Sequence, residues 1–299
     1  MDIILSSISQ GLLWSIMAIG VYLTFRILDI ADLTAEGSFP LGAAICSVSI
    51  VSGITPLLAS LLALIGGMLA GIVSGLLHTK LKIPALLTGI LTMTALYSIN
   101  LRILGKANVT LLGQDTLMRT LQSFGLENRM AVLVVGGVAI VLVILVLYLF
   151  FSTEIGLALR STGDNEAMSE ANGIHTDTMK IVGYMLCNGL IALSGALIAQ
   201  NNGYADISMG IGTIVIGLAS IIIGEVIFHR LSFAKRLITI VIGAVVYRLI
   251  IDFVLQLGVQ PQDIKLFSAV VLTIALSTPL LKKKSRRTKR VGKRGAELV

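Results

Sequence analysis

Charged residues are scarce in this sequence: of its 299 residues, only 13% are Asp, Glu, Lys or Arg, and 56% are apolar. A soluble domain carries about twice that share of charge, because its surface must be hydrated. The shortage argues against a soluble enzyme, a disordered chain, a coiled coil and a disulfide scaffold. It favours an all-α polytopic membrane protein, in which long apolar helices are solvated by lipid.

Residues for metal, disulfide or nucleotide chemistry are also few. The two cysteines, Cys46 and Cys187, lie in apolar segments, where free cysteine behaves as a small hydrophobic residue. The three histidines, His78, His175 and His229, are scattered and lack the spacing of metal ligands. The sequence contains no Gly-x-x-x-x-Gly-Lys-Ser/Thr loop for nucleotide phosphates. We therefore expect no catalytic residues, and no metal or cofactor bound by this chain.

The net charge of +7 has a local origin. Residues 282–299 hold nine Lys or Arg and one acid, a net +8 that leaves −1 for residues 1–281. A basic run after a last apolar helix is typical of a cytoplasmic anchor at an anionic leaflet, so we expect lipid and not nucleic acid as its partner. The sequence predicts a transmembrane domain over residues 1–281 and a basic cytoplasmic tail over residues 282–299.

Eight apolar runs are long enough to cross a bilayer, which takes about 20 residues in a helix. They are residues 3–25, 55–77, 83–101, 130–151, 181–200, 207–224, 237–259 and 264–281. A ninth run, residues 40–53, has only fourteen residues, and we expect a half-helix or a short, sunken segment there. The first run lacks a basic flank and a cleavage site, so we interpret it as a retained span and not a signal peptide.

Nine segments place the two termini on opposite sides of the membrane. With the tail inside, the inner loops hold seventeen Lys or Arg and the outer loops five. The positive-inside rule therefore predicts a multi-pass protein of the cell membrane with a cytoplasmic C-terminus. Most of this asymmetry comes from the tail.

Two segments break the apolar pattern before a helix. Residues 29–40 contain three acids, a glycine and Pro40, which is suited to the first turn of a helix. Residues 201–210 precede a glycine-rich run, and residues 205–208 are similar to residues 31–34. Broken segments in corresponding halves are typical of an inverted repeat around a central pathway. An ordinary cytoplasmic loop is the alternative for residues 29–40.

These breaks, with polar residues of a neighbouring helix, suggest where a solute would pass. The predicted substrate-pathway residues are Asp32, Thr34, Glu36, Ser38, Thr92, Thr94, Asn100 and Asp206.

Two further patterns lie inside apolar runs. Arg248 and Asp252 are four residues apart and so share one helix face, where a paired charge is tolerable at membrane depth. We interpret them as a structural pair, with a proton relay as the alternative. Gly67, Gly71 and Gly75 repeat every fourth residue and predict close packing against another helix.

The largest polar loop on the predicted inner side is residues 152–180. Asp164 or Asn165 could cap a short helix from Glu166 to Ala171, with Gly173 as its C-terminal stop. Such a helix is suited to fit a groove of a cytoplasmic partner and to transmit rigid-body motion. A surface helix without a partner is the alternative.

This loop resembles the coupling segment of ABC importer permeases in the branched-chain amino acid and ribose family. The similar positions are Gly156, Arg160, Gly163, Asn165, Ala167, Gly173 and Ile174, while Asp164 stands where that family commonly has glycine. Residues 32–38 resemble the segment after the family's early span, although Glu36 is unusual there. Residues 88–94 are most similar to the tryptophan/tyrosine-type branch.

The resemblance implies a permease subunit without an ATPase site of its own. It would work with a second permease chain, expected to be a copy of itself, with cytoplasmic subunits that bind ATP and Mg, and with an extracytoplasmic solute-binding protein. The outer loop 102–129 is long enough to help dock that protein, and Leu117, Leu121 and Phe124 share one face of an interfacial helix there. The implied solute is small and polar, an amino acid. The alternative is a secondary transporter driven by an ion gradient through Asp32, Asp206 or the Arg248–Asp252 pair.

Overall fold

The computed structural model describes residues 2–228, 233–260, 263 and 266–273. Its elements are α1 (Asp2–Tyr22), α2 (Ala35–Val51), α3 (Pro56–Thr79), α4 (Ala85–Leu104), β1 (Asn108–Thr110), α5 (Leu117–Ser123), α6 (Asn128–Phe151), α7 (Glu154–Asp164), α8 (Glu166–Ala171), α9 (Thr176–Asn202), β2 (Tyr204–Asp206), α10 (Thr213–Ile227) and α11 (Phe233–Gln256). A π-helical turn, Leu23–Ile27, continues α1, and a 3₁₀ turn, Ile207–Gly210, precedes α10.

Seven of the described helical segments are long and apolar enough to cross a membrane. They are Ile4–Ile27, α3, α4, α6, α9, Ile207–Ile227 and α11. The helix α2 is a shorter apolar helix of 17 residues. The chain is therefore an all-α polytopic membrane protein, as predicted. Most of the predicted last span, residues 264–281, and the whole tail, residues 282–299, lie outside the described residues.

The short segment predicted over residues 40–53 begins earlier than expected. Its helix starts at Ala35, and Pro40 lies inside it instead of in its first turn. Proline has no N–H, so the carbonyl of Glu36 lacks its usual helical donor. Gly210 packs against that carbonyl, because a Cβ at this glycine would lie 1.9 Å from the Glu36 oxygen. The carbonyl thus faces Gly210, which has no side chain, in the turn before α10.

The helix α9 runs through the centre of the bundle and packs closely on α3. A Cβ on Gly67 or Gly71 would lie 2.3 Å or 2.2 Å from a backbone oxygen of α9. At Gly75 the nearest atom would be the Cα of Ile181, at 2.9 Å. The predicted glycine face is confirmed, and it brings the two helix backbones together.

The two ends of α9 carry different structures. With 27 residues, α9 is about 40 Å long. The helices α7 and α8 precede its first residue, and β2 follows its last. There β1 and β2 form an antiparallel pair in which Asn108 lies opposite Asp206. We call this side of the bundle the β end and the other side the α8 end.

Large apolar side chains remain exposed along the outer helices. Examples are Leu61, Ile65 and Leu69 on α3, and Val138, Leu142 and Leu145 on α6. An exposed apolar face of this size is expected where a helix meets lipid or another membrane subunit.

Candidate substrate pathway and coupling segment

A buried polar network connects the first broken segment to the central helices. Asn188 of α9 donates from Nδ2 to Asp32 Oδ2 at 2.8 Å, and its Oδ1 accepts the Ser38 hydroxyl at 2.7 Å. The hydroxyls of Thr34 and Ser74 lie 2.8 Å apart. All five side chains are buried. The network therefore ties α2 and the turn before it to both α3 and α9.

Asn188 is the centre of this network, and it was not among the predicted pathway residues. It lies near the middle of α9, and its Nδ2 also donates to the carbonyl of Tyr184 at 3.0 Å. A polar amide in the middle of an apolar run was the available signal, because such residues usually face the bundle interior.

Glu36 belongs to a different contact. Its Oε1 accepts the backbone N–H of Gly212 at 3.0 Å, which joins α2 to the residues just before α10. The side chain is partly exposed, whereas Asp32 is buried. Glu36 therefore lies where the two broken segments meet, and not in the Asn188 network.

The two broken segments contain the same local turn. Asp32 Oδ1 accepts the N–H of Thr34 at 2.9 Å, and Asp206 Oδ1 accepts the N–H of Ser208 at 2.7 Å. Both are Asx turns, so the sequence similarity between the segments extends to their local structure. The inverted repeat built on this similarity stays a prediction.

The helices that follow these turns run in opposite directions. Towards its end α2 approaches the β end, where Gln200 donates to the Cys46 sulfur at 3.2 Å. From the β end, α10 leads to Glu225, which forms an ion pair with Arg26 after α1. Opposite directions are what an inverted arrangement of the two segments requires.

Asp206 lies at the β end and has no described contact with Asp32. Partial burial acts to raise the pKa of Asp206, but hydrogen bonds from Ser208 and Asn108 hold it below its ordinary value. Asn108 donates from the opposite strand at 3.3 Å. The carboxylate is therefore ionised and stabilises a turn, and the structure does not bring it together with the other acids.

The three predicted residues of α4 divide between two faces. Thr92 and Asn100 are buried, and Asn100 donates from Nδ2 to the carbonyl of Gly37 at 3.1 Å. Among the described residues, Thr92 Oγ1 and Asn100 Oδ1 have no hydrogen-bond partner. Thr94 is exposed and bonds to the Ile90 carbonyl of its own helix at 2.8 Å. Thr92 and Asn100 thus face α2, and Thr94 does not.

At the α8 end, two of the predicted coupling glycines are packing positions. A Cβ on Gly156 would lie 2.3 Å from the carbonyl oxygen of Phe150, and one on Gly163 would lie 1.6 Å from that of Ile27. These glycines hold α7 against the end of α6 and against the π-helical turn. Sequence analysis did not predict α7 as a helix.

The short helix expected from Glu166 to Ala171 is confirmed as α8. Asn165, and not Asp164, is its cap, because Asn165 Oδ1 accepts the N–H of Met168 at 3.0 Å. Asp164 is the last residue of α7. Gly173 has a φ of +82°, the left-handed conformation that ends a helix. The N–H of Ile174 then donates to the Ser169 carbonyl at 3.0 Å.

The exposed face of α8 points away from the bundle. Met168 is 64% exposed, and Ala167 beside it is also exposed. Glu166 forms an ion pair with Lys180 on α9, so α8 is fixed to the central helix. Arg160 of α7 is exposed, and its guanidinium lies 5.1 Å from the ring centre of Phe233 on α11.

A polar pocket opens at the β end. Its volume is about 280 Å³, and it is lined by Gln10, Leu13, Trp14, Ile198, Asn201, Asn202, Tyr204 and Arg248. The predicted Arg248–Asp252 pair is formed, with Arg248 Nη2 3.1 Å from Asp252 Oδ1. We call this the Arg248 pocket. Its residues come from α1, α9, β2 and α11, so sequence spacing alone could not assemble it.

Comparison of the sequence with known proteins identifies related membrane permeases. The family model of the branched-chain amino acid transport system permease component matches residues 3–276. The chain is 44% identical over 275 residues to the tyrosine transport system permease protein of Clostridioides difficile, covering 92% of this chain and 90% of that one. No solved structure matches the chain significantly.

Two other relatives are more distant. An uncharacterised protein of Rickettsia prowazekii is 33% identical over 282 residues, covering 93% of this chain and 98% of that one. The autoinducer 2 import system permease protein of Yersinia pseudotuberculosis is 27% identical over 197 residues, covering 66% of this chain and 54% of that one.

The chain belongs to the branched-chain amino acid permease family of ABC transporters. It is a multi-pass membrane protein and a transport component, and the resemblance seen in the sequence is confirmed.

Proposed function

We propose that the chain is the membrane-spanning permease subunit of an ATP-driven amino acid importer. The observation that carries the proposal is α8, a capped helix that exposes Met168 at one end of the bundle and is fixed to α9. The proposed coupling residues are Gly156, Arg160, Gly163, Asn165, Ala167, Gly173 and Ile174. The family assignment supports the same role.

Motion of α8 has a direct route to the broken segments. Glu170 of α8 accepts the Thr176 hydroxyl at 2.8 Å, at the first residue of α9. Twelve residues further along α9, Asn188 bonds to Asp32 and Ser38. A rigid α9 would therefore move the turn before α2 whenever a partner displaces α8.

The pathway itself is proposed to lie between two permease chains, most simply two copies of this one. The exposed apolar faces of α3 and α6 could contact a second permease chain as well as lipid. ATP and Mg would be bound by separate subunits at the α8 end. A solute-binding protein would deliver the solute at the β end. The protein would lie in the cell membrane with its C-terminus in the cytoplasm.

An amino acid is the proposed solute because one relative is a tyrosine transport system permease. The proposed pathway residues are Asp32, Thr34, Glu36, Ser38, Thr92 and Asn100, joined by Asn188. Thr94 and Asp206 lie apart from the others, on the outer face of α4 and at the β end.

Purification from native membranes tests the class of transporter. The tagged chain is extracted gently, and its companions are identified and counted. We expect about one ATP-binding subunit per permease chain, and uptake of radiolabelled L-tyrosine into proteoliposomes that requires ATP. A partner-free protein that accumulates the amino acid on an ion gradient alone would establish the secondary transporter instead.

A further inference from the structure

The Arg248 pocket has the polarity of an anion site. Of its eight lining residues, Arg248 alone is charged, and three are the amides Gln10, Asn201 and Asn202. Asp252, which pairs with the arginine, is not among the lining residues. A group entering the pocket therefore meets the guanidinium and amide dipoles, and no carboxylate.

The geometry of Arg248 leaves one edge of its guanidinium available. Nη2 lies 3.1 Å from Asp252 Oδ1, and Nε donates to Asp252 Oδ2 at 3.3 Å. Within the described part of the chain, no residue bonds to Nη1. The planar guanidinium can bind one carboxylate on each edge, so Asp252 occupies one edge and the pocket has access to the other.

The arginine is also held in place before any ligand arrives. Asp252 Oδ2 accepts the Ser7 hydroxyl of α1 at 2.6 Å, so the ion pair is fixed between two helices. A preorganised group loses less conformational entropy on binding than a mobile one. The ion pair thus serves as a support for the free edge.

The other walls of the pocket suit the rest of an amino acid. Trp14 and Tyr204 line the pocket, and aromatic rings attract cations as well as apolar groups. The amide oxygens of the pocket can accept from an ammonium. The volume of about 280 Å³ is near the lower limit for ligand pockets, so it suits one small solute.

The pocket is in contact with the proposed pathway. The Trp14 ring stacks on Phe39 of α2, with ring centres 5.2 Å apart. Phe39 directly follows Ser38 of the Asn188 network. A solute resting on Trp14 would therefore be one aromatic ring away from the buried polar residues.

We propose that the Arg248 pocket is an amino acid binding site in which the solute's α-carboxylate binds the free edge of Arg248. This rests on the proposed function, because it places the site where a solute would enter from the β end. It assigns to the ion pair a role in recognition beyond its role in helix packing.

The chain carries its own reporter for this site, because Trp14 is its single tryptophan. The full chain is placed in nanodiscs of zwitterionic lipid. Trp14 fluorescence is excited at a wavelength longer than those that tyrosine absorbs. L-tyrosine is titrated first, then the other standard amino acids except tryptophan. We expect a saturable change with at least one amino acid and none with its decarboxylated amine, such as tyramine for tyrosine.

Three variants separate recognition from folding. Arg248→Gln removes the free edge, and Arg248→Gln with Asp252→Asn does so without leaving an unpaired acid. Both are expected to weaken binding about tenfold or more, because a charge-assisted hydrogen bond is lost. Arg26→Gln is the matched control, since it breaks an Arg–Glu pair at the other end of the bundle. Size-exclusion profile and helical content verify the fold.

Unchanged affinity in the double variant would overturn the proposal, as would equal binding of the amine or no response to any amino acid. These results would exclude the binding site without excluding the proposed importer function. A complex that contains its ATP-binding subunit and imports the amino acid, yet shows no Trp14 response, keeps the importer assignment and excludes this site.

Discussion

At the scale of single residues, the Asn188 amide joins α9 to α2 and to the turn before α2. Asn188 bonds to both Asp32 and Ser38, and it is fully buried. Asp32 and Glu36 are only four residues apart in sequence, yet their partners lie on α9 and before α10. Asp32 and Glu36 therefore bind different parts of the bundle.

Replacing Asn188 with leucine is expected to destabilise the protein. The change leaves Asp32 Oδ2 and the buried Ser38 hydroxyl without their partner, at a cost of about 2 kcal/mol or more, while Asp32 Oδ1 keeps the N–H of Thr34. The melting temperature of the detergent-purified chain measures this and should fall by several degrees. Asn202→Ala, an exposed amide on the same helix, is the control and should change it little. Equal melting temperatures would show that the network does not stabilise the bundle.

Glu36→Gln is expected to change which solute is carried. Glutamine keeps an oxygen that can accept from Gly212 but removes the negative charge. The contact between α2 and Gly212 is therefore kept while its charge changes. Competition of a panel of amino acids against labelled L-tyrosine uptake measures the profile. Glu36→Ala, which removes both the charge and the acceptor, should lower uptake as well. An unaltered profile in Glu36→Gln would remove this residue from the pathway.

At the scale of helices, α3 and α9 pack through direct contact between their backbones and not through large side chains. The face of α3 that carries Gly71 is packed so closely on α9 that a Cβ there would lie 2.2 Å from the Tyr184 oxygen. Gly137 on α6 is also helical, but nothing lies within 4 Å of its Cβ position. The two glycines therefore form a matched pair for testing.

Gly71→Ala should destabilise the protein by about 1–3 kcal/mol, because the two helices must move apart. Gly137→Ala should be neutral or slightly stabilising, since alanine is favoured over glycine in a helix by about 1 kcal/mol. Thermal unfolding of both variants in one detergent gives the comparison. An equal change at both positions would mean that the close contact of Gly71 with α9 does not constrain the packing.

The coupling helices give the next prediction. Arg160→Glu should uncouple or release the ATP-binding subunit, because it reverses an exposed charge on α7 and removes the cation held over Phe233. Helical content should stay the same. The measurement is ATP hydrolysis by the reconstituted complex, with and without solute. Normal stimulation by solute in this variant would count against a coupling role for α7.

Sequence patterns predicted some elements well and missed others for physical reasons. The helix α8 was predictable because Asn165 and Gly173 mark its two ends by local chemistry. The pairing of Asn108 with Asp206 was not, since strands of three residues carry no periodic signal and their partners are far apart in the chain. The Arg248 pocket was missed for the same reason, because four distant segments form it.

At the scale of the whole molecule, the two ends of the bundle carry different surfaces. The α8 end exposes Met168 and Arg160, and the β end opens the Arg248 pocket. The buried α9 connects them over about 40 Å. In the proposed importer, the solute would arrive at the β end and the ATP-binding subunits would dock at the α8 end.

Pro40 has a consequence for motion between the two broken segments. Because Pro40 offers no N–H to the Glu36 carbonyl, bending α2 at this point disrupts one backbone hydrogen bond fewer than in an uninterrupted helix. The side chain of Glu36 donates nothing and accepts one bond, from Gly212. A hydrogen bond to a charged group contributes about 1.5–3 kcal/mol, so this bond adds to the packing of Gly210 on α2. Pro40 therefore makes α2 easier to bend where it meets the second broken segment.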